Sequence, residues 1–130
     1  MNQRSDPLEL PGLEVSVDRI VYRHLPGHER PHSFVYFISI RNRSGVTVTL
    51  RQRKWVVTHD DGTQIVVVGD GIVGQTPTLQ PGGTFTYNSQ HLIATQSAVA
   101  EGAYGGVDDS GRAVVTRIPR FELRVPHPDL

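Results

Sequence analysis

The 130-residue chain contains no cysteine, which excludes disulfides, thiolate chemistry and zinc held by thiolates. A secreted domain of this size often carries disulfides, so their absence points to a reducing compartment. Net charge is also lacking, with 13 Lys and Arg set against 13 Asp and Glu. A dedicated nucleic-acid binder would be clearly basic. No apolar run approaches the ~20 residues that a membrane-spanning helix needs, and the start, Met1 to Pro7, has no apolar signal core. The expectation is a cytoplasmic protein with neither a membrane nor a nucleic acid as partner. No stretch shows convincing helical periodicity, and the length leaves room for one domain with one core.

What the chain does have is period-two alternation broken by turn residues. Residues 1–11 are polar, carry Pro7 and Pro11, and read as a loose arm before a single domain at 12–127. Leu13, Val15 and Val17 alternate with polar residues and run on into Ile20-Val21-Tyr22. After a loop holding Pro26, Gly27 and Pro31, Ser33 to Arg43 is the cleanest strand, with Phe34, Tyr36, Ile38 and Ile40 on one face. In Val46 to Thr58 the apolar set changes parity: Val46, Val48 and Leu50 share one face, Trp55 and Val57 the other. One register cannot bury both sets, so a β-bulge or break is expected within Arg51 to Lys54. Asp60-Asp61-Gly62 signals a hairpin leading into Thr63 to Val68. Thr84 to Asn88 turns Phe85 and Tyr87 to the core, Ser89 to Ser97 is ambiguous, and Ala98 to Val107 holds Tyr104, a candidate corner tyrosine. Asp108-Asp109-Ser110-Gly111 turns the chain into a last strand, Ala113 to Val125, where Pro119 marks an edge or a bulge. The count is about seven or eight strands, which indicates an all-β antiparallel sandwich with Trp55 in its core.

The most distinctive stretch is Val68-Gly69-Asp70-Gly71-Ile72-Val73-Gly74, whose glycines have GxGxxG spacing. A dinucleotide fingerprint needs a helix to follow, and Pro77 and Pro81 forbid one. The glycines then serve positive φ and close backbone approach at a sheet corner, and their N–H groups can form a concave nest for an anion. No acid occurs between Glu29 and Asp60, whereas Arg30, Arg41, Arg43, Arg51, Arg53 and Lys54 do. Counting outward from the Asp60–Gly62 turn places Val68 and Gly69 opposite Arg53. The candidate anion-binding residues are therefore Arg53, Gly69, Gly71 and Gly74, with phosphate or a nucleotide phosphate as ligand.

Other chemistry is thin. His24, His28 and His32 are four residues apart, but Pro26 and Pro31 forbid the helix that would align them. Asp60, Asp61, Asp108 and Asp109 are turn carboxylates that need no metal to explain them. No serine stands in a GxSxG elbow, and Glu101, the one acid inside an apolar strand, reads as solvent-facing or paired. No catalytic residue, metal site or cofactor is expected.

Arg53-Lys54-Trp55, Asp60-Asp61-Gly62, Val68 to Pro77, Leu79-Gln80-Pro81-Gly82, Phe85-Thr86-Tyr87, Glu101-Gly102-Ala103-Tyr104 and Ile118 to Leu123 follow one another in an order and spacing that resembles the ApaG family, also called CorD. The resemblance spans about residues 13–126. It implies an immunoglobulin/fibronectin type III-like β-sandwich and a non-catalytic binding module with a protein partner. By family name it also implies a link to cobalt and magnesium homeostasis. Two departures stand out. Lys54 occupies the place where the family usually has histidine, and Ser97 to Gly106 replaces a methionine-rich segment.

Overall fold

The alternation in the sequence is realised as nine strands and no helix in the computed structural model, which describes residues 6–127. The strands are β1 (Leu8–Glu9), β2 (Leu13–His24), β3 (His32–Asn42), β4 (Val48–His59), β5 (Gln64–Asp70), β6 (Thr78–Leu79), β7 (Thr84–Ile93), β8 (Ser97–Asp108) and β9 (Ala113–Arg124). One sheet has the order β1-β9-β8-β4-β5, with β6 also paired to β4; the other has the order β2-β3-β7. All pairings are antiparallel except β1 with β9. The two sheets face each other across a core that includes Phe34, Ile38, Ile40, Leu50, Tyr104 and Leu123, all essentially inaccessible to water. This is the expected sandwich, built from seven long strands and two short ones.

The parity change in β4 is resolved as the sequence demands. Leu50 pairs with Gly106 and Gln52 with Gly105, so Arg51 is the extra residue of a bulge. Val48 and Leu50 before it and Trp55 and Val57 after it are all buried. A second irregularity falls where Pro119 lies, between Ala100 and Gly102 of β8, because proline cannot continue the ladder. The two Asp-rich turns share one geometry. The Gly62 N–H donates to the His59 carbonyl (2.9 Å) and the Gly111 N–H to the Asp108 carbonyl (3.0 Å).

Three expectations change. Part of the expected loose arm is held: Leu8 and Glu9 pair with Val114 and Val115, and the Leu10 N–H donates to the Val115 carbonyl (3.2 Å). Residues 1–5 of that arm lie outside the described residues. The ambiguous stretch from Ser89 continues β7 to Ile93, carried by the inward parity of Phe85, Tyr87, Ser89 and His91 against β3. Tyr104 is not a corner residue. It sits within β8 between Arg53 of β4 and Thr116 of β9, and its hydroxyl meets that of Tyr87 across the core.

Trp55 is 3% exposed and packs edge-on against Phe121 with ring centroids 5.9 Å apart. Emptying so large a site costs both transfer free energy and a cavity. Trp55→Ala should lower unfolding free energy by about 3–5 kcal/mol, read from urea unfolding followed by far-ultraviolet circular dichroism.

Candidate functional site

The bulge at Arg51 sets the direction of everything that follows it on β4. Arg53 comes to the inner side of the sheet together with Trp55, opposite Gly69 and Val67 of β5. Gly69 has no side chain to fill that space, so the guanidinium lies over it. A Cβ at Gly69 would stand 2.7–2.8 Å from the guanidinium atoms. Arg53 Nη1 donates to the carbonyls of Asp70 (2.8 Å) and Gly71 (3.1 Å), which fixes one edge of the fork. Its other N–H groups make no hydrogen bond, and the residue makes no ion pair, among the described residues.

Beyond β5 the chain reverses at Ile72–Gln75. The Ile72 N–H donates to the Gln75 carbonyl (2.7 Å) and the Gln75 N–H to the Ile72 carbonyl (3.0 Å). The central residues Val73 and Gly74 both have positive φ, 45° and 79°, as a type I′ turn requires. Valine is poorly suited to that conformation, and the turn is held by Ile72, whose side chain is fully buried. Gly71 has φ 70°, and its N–H donates to the Arg51 carbonyl (2.6 Å). The amides of Gly71, Ile72 and Gln75 are thus engaged within the fold. Those of Val73 and Gly74 donate to no protein acceptor among the described residues. The structure brings Arg53, Gly69 and the Gly71 carbonyl into contact and sets Gly74 on the rim of the same cleft.

That cleft, about 480 Å³, opens where the sandwich parts between β5 and β7, the edge strands of their two sheets. Tyr36, Trp55 and His91 line its inner side, Val67 and Val73 its apolar wall, and Arg53 faces it beside Asp70. The aromatic rings are closely packed, with His91 centred 4.7 Å from both Tyr36 and Trp55. Burial pulls the His91 imidazole down from 6.5 to about 4, so the ring is neutral at pH 7. Its Nε2 is buried without a hydrogen-bond partner among the described residues. Burial raises the hydroxyl pKa of Tyr36, opposed by Ser89 and by the Arg53 charge. Burial also raises Tyr87, more strongly, against its hydrogen bond with Tyr104. The site therefore combines an aromatic, uncharged interior with one guanidinium that has free donors, an arrangement suited to binding.

His91 is the residue that the sequence reading missed. Its signal was its place in the Phe85–Tyr87–Ser89 parity, hidden because the end of β7 was ambiguous. The other candidates stand apart. His24 and His32 face each other across β2 and β3 with rings 5.9 Å apart, while His28 is exposed in the loop between those strands. His32 Nδ1 and the Tyr22 hydroxyl share a hydrogen bond (2.7 Å). Glu101 is exposed opposite Val56, and Asp61 and Asp108 cap their own turns through Thr63 and Ser110. Among the described residues no group of three or more His, Asp or Glu is placed to hold a metal ion.

The depressed His91 value has a consequence for stability. Between about pH 4 and 6.5 the unfolded chain takes up a proton on this ring that the folded chain does not. Stability is therefore full near neutrality and falls as the pH drops through that window. From pH 7.5 to 4.5 the loss from this group should be on the order of 2 kcal/mol. Urea unfolding of the parent and of His91→Phe at both pH values isolates it: the variant should lose distinctly less stability on acidification.

Sequence comparison matches the ApaG domain to residues 24–108. Protein ApaG of Vibrio cholerae serotype O1 is 36% identical over 122 residues, covering 92% of this chain and 96% of its own length. Protein ApaG of Shewanella piezotolerans is 36% identical over 126 residues, 97% of each chain. Among solved structures, the X-ray structure of a structural-genomics target superposes with TM-score 0.81 at 30% identity over 88% of both chains. The putative ApaA protein of Bordetella pertussis gives 0.74 at 28% identity, over 94% of this chain and 100% of its own. None of these names states a catalytic activity. With a family match over most of its length and relatives that align over more than nine-tenths of both chains, this chain belongs to the ApaG domain family.

Proposed function

We propose that the chain is a non-catalytic binding module that receives an extended segment of a protein partner along β5. It acts in the cytoplasm and exercises any part in cobalt or magnesium homeostasis through that partner. The observation that carries this reading is the state of the β5 edge. The strand ends its sheet, and no strand among the described residues pairs with its outer side. Its sequence from Gln64 to Gly69 is uncharged, without the lysine or proline that usually protects an edge. Of the five large apolar side chains that stand exposed among the described residues, four lie on β5 and the following turn. They are Val66 (55%), Val67 (39%), Val68 (70%) and Val73 (47%). An open ladder supplies main-chain hydrogen bonds for affinity, and alternate side chains supply specificity.

Displayed ten-residue peptides selected on the purified protein supply the probe for an NMR titration. Amides 64–70 should shift and exchange more slowly with solvent when the selected peptide binds. Val66→Lys with Val68→Lys, two outward-facing changes, should weaken binding at least tenfold while leaving the fold intact. Shifts confined to other strands, or an unchanged affinity in the double variant, would overturn the reading.

A second reading, a receptor for phosphate or a nucleotide phosphate at Arg53, Gly69, Gly71 and Gly74, is favoured by the free donors of Arg53 and the open amides of Val73 and Gly74. Gly69 and Gly71 shape the loop in this reading, and the hydrogen bonds come from Arg53 and from the amides of Val73 and Gly74. Millimolar phosphate should then shift the Val73 and Gly74 amides in the parent and leave them unmoved in Arg53→Glu. Equal shifts in both proteins, or none in the parent, would sink it.

A further inference from the structure

We propose that the cleft between β5 and β7 is a binding site for a small aromatic carboxylate, its ring held against Tyr36, Trp55 and His91 and its carboxylate on the free edge of Arg53. The proposal deepens the anion reading of Arg53 and rests on it.

Two independent features point to this ligand chemistry, and a third points to the position. The first is the inner surface. Tyr36 and Trp55 are almost wholly buried, yet both line the cleft, which therefore reaches the rings of the core. Their centroids lie 5.0 Å apart, and His91 stands against both. At about 480 Å³ the space lies within the range of small-molecule sites. A flat ring gains offset or edge contacts with such walls that an aliphatic chain does not.

The second is the cation. Nη1 of Arg53 is spent on two backbone carbonyls, which hold the planar group still while its remaining donors stay free. A fixed fork is suited to the two oxygens of a carboxylate. Asp70 stands on the same rim. Its charge disfavours a ligand carrying several negative charges and leaves a singly charged one as the better match.

The third is the orphaned atom. His91 Nε2 is buried, without a partner among the described residues, in a residue that lines the cleft. A buried polar atom left without a partner is uncommon and marks a strained or functional position, here on a ring that forms a wall of the cleft.

The chain has one tryptophan, so the indole N–H of Trp55 gives a single resolved NMR signal from inside the site. Phenylacetate, phenylacetamide, acetate, inorganic phosphate and a tripeptide ending in phenylalanine are titrated separately against the parent, Arg53→Gln and Gly69→Ala. Alanine at Gly69 displaces the guanidinium, because its Cβ would stand 2.7 Å from Nη1 where only a side-chain tip has to move. In the parent, phenylacetate should shift the Trp55 indole and the Gly74 amide saturably. It should bind at least tenfold more tightly than phenylacetamide or acetate. Both variants should lose that advantage with circular dichroism unchanged. Tighter binding of the tripeptide than of phenylacetate would identify the source as the C-terminus of a polypeptide, and the reverse a free metabolite; either supports the site. If phosphate and acetate bind through Arg53 as well as phenylacetate does, the aromatic proposal fails and the anion reading stands. If phenylacetamide matches phenylacetate, the carboxylate assignment is overturned. If no compound shifts either signal, both readings fall together.

Discussion

The bulge at Arg51 is the constraint on which the rest of the structure depends. β4 lies between β8 and the edge strand β5, and its apolar residues sit on two parities. Without an extra residue, either Val48 and Leu50 or Trp55 and Val57 would face water, and burying each such side chain is worth roughly 1.5–3 kcal/mol. With it, all four enter the core. The same half-turn throws Arg53 inward, between the buried Leu50 and Trp55 and opposite Gly69 of the edge strand β5. An arginine there cannot be buried as an apolar residue would be. It lies instead over Gly69 and spends one nitrogen on the carbonyls at the end of β5.

The three glycines of the GxGxxG spacing have separate physical reasons, none of them a dinucleotide. Gly69 is extended, and its absent side chain makes room for the guanidinium. Gly71 bends the chain with positive φ in a space where a Cβ would stand 2.8 Å from the Gln75 carbonyl oxygen. Gly74 takes the second central position of the turn. A pattern that looks like one motif is thus three local solutions around one arginine, and no helix follows to give the spacing its other meaning.

Much of this was legible in the residues. Strict alternation in Ser33 to Arg43 fixed the buried face of β3, and the parity clash in β4 located its bulge to within a few residues. Both follow from the two-residue period of a strand, which leaves no freedom once one face is apolar. The register of Arg53 with Gly69 followed from counting out of the hairpin. What escaped had weak local signals. The bulge between Val17 and Arg19 is met by Asp18, whose carboxylate accepts hydrogen bonds from Ser16 and from Ser39 on the neighbouring strand. That is a cross-strand contact no local pattern announces. The cleft escaped because it is a property of two sheets. Trp55 and Tyr36 read correctly as core residues, and only the parting of β5 from β7 exposes one side of them to a ligand.

The open edge of β5 and the cleft are parts of one surface. Val67 places its side chain on the cleft wall while the backbone of its strand lies along the unpaired edge. A strand added there would run about 4.8 Å further out, and its inward side chains would fall beside Val67, on the open side of the cleft. An occupant of the cleft would in turn touch Val73, a residue held at a positive φ by the buried Ile72 beside it. Strain of this kind persists where surrounding contacts over-determine it, and it concentrates at sites that meet ligands. The neutral His91 ring keeps the inner side of this surface uncharged at pH 7. Any recognition at this surface would then fall to shape, to the aromatic rings and to the single guanidinium that the bulge has turned toward them.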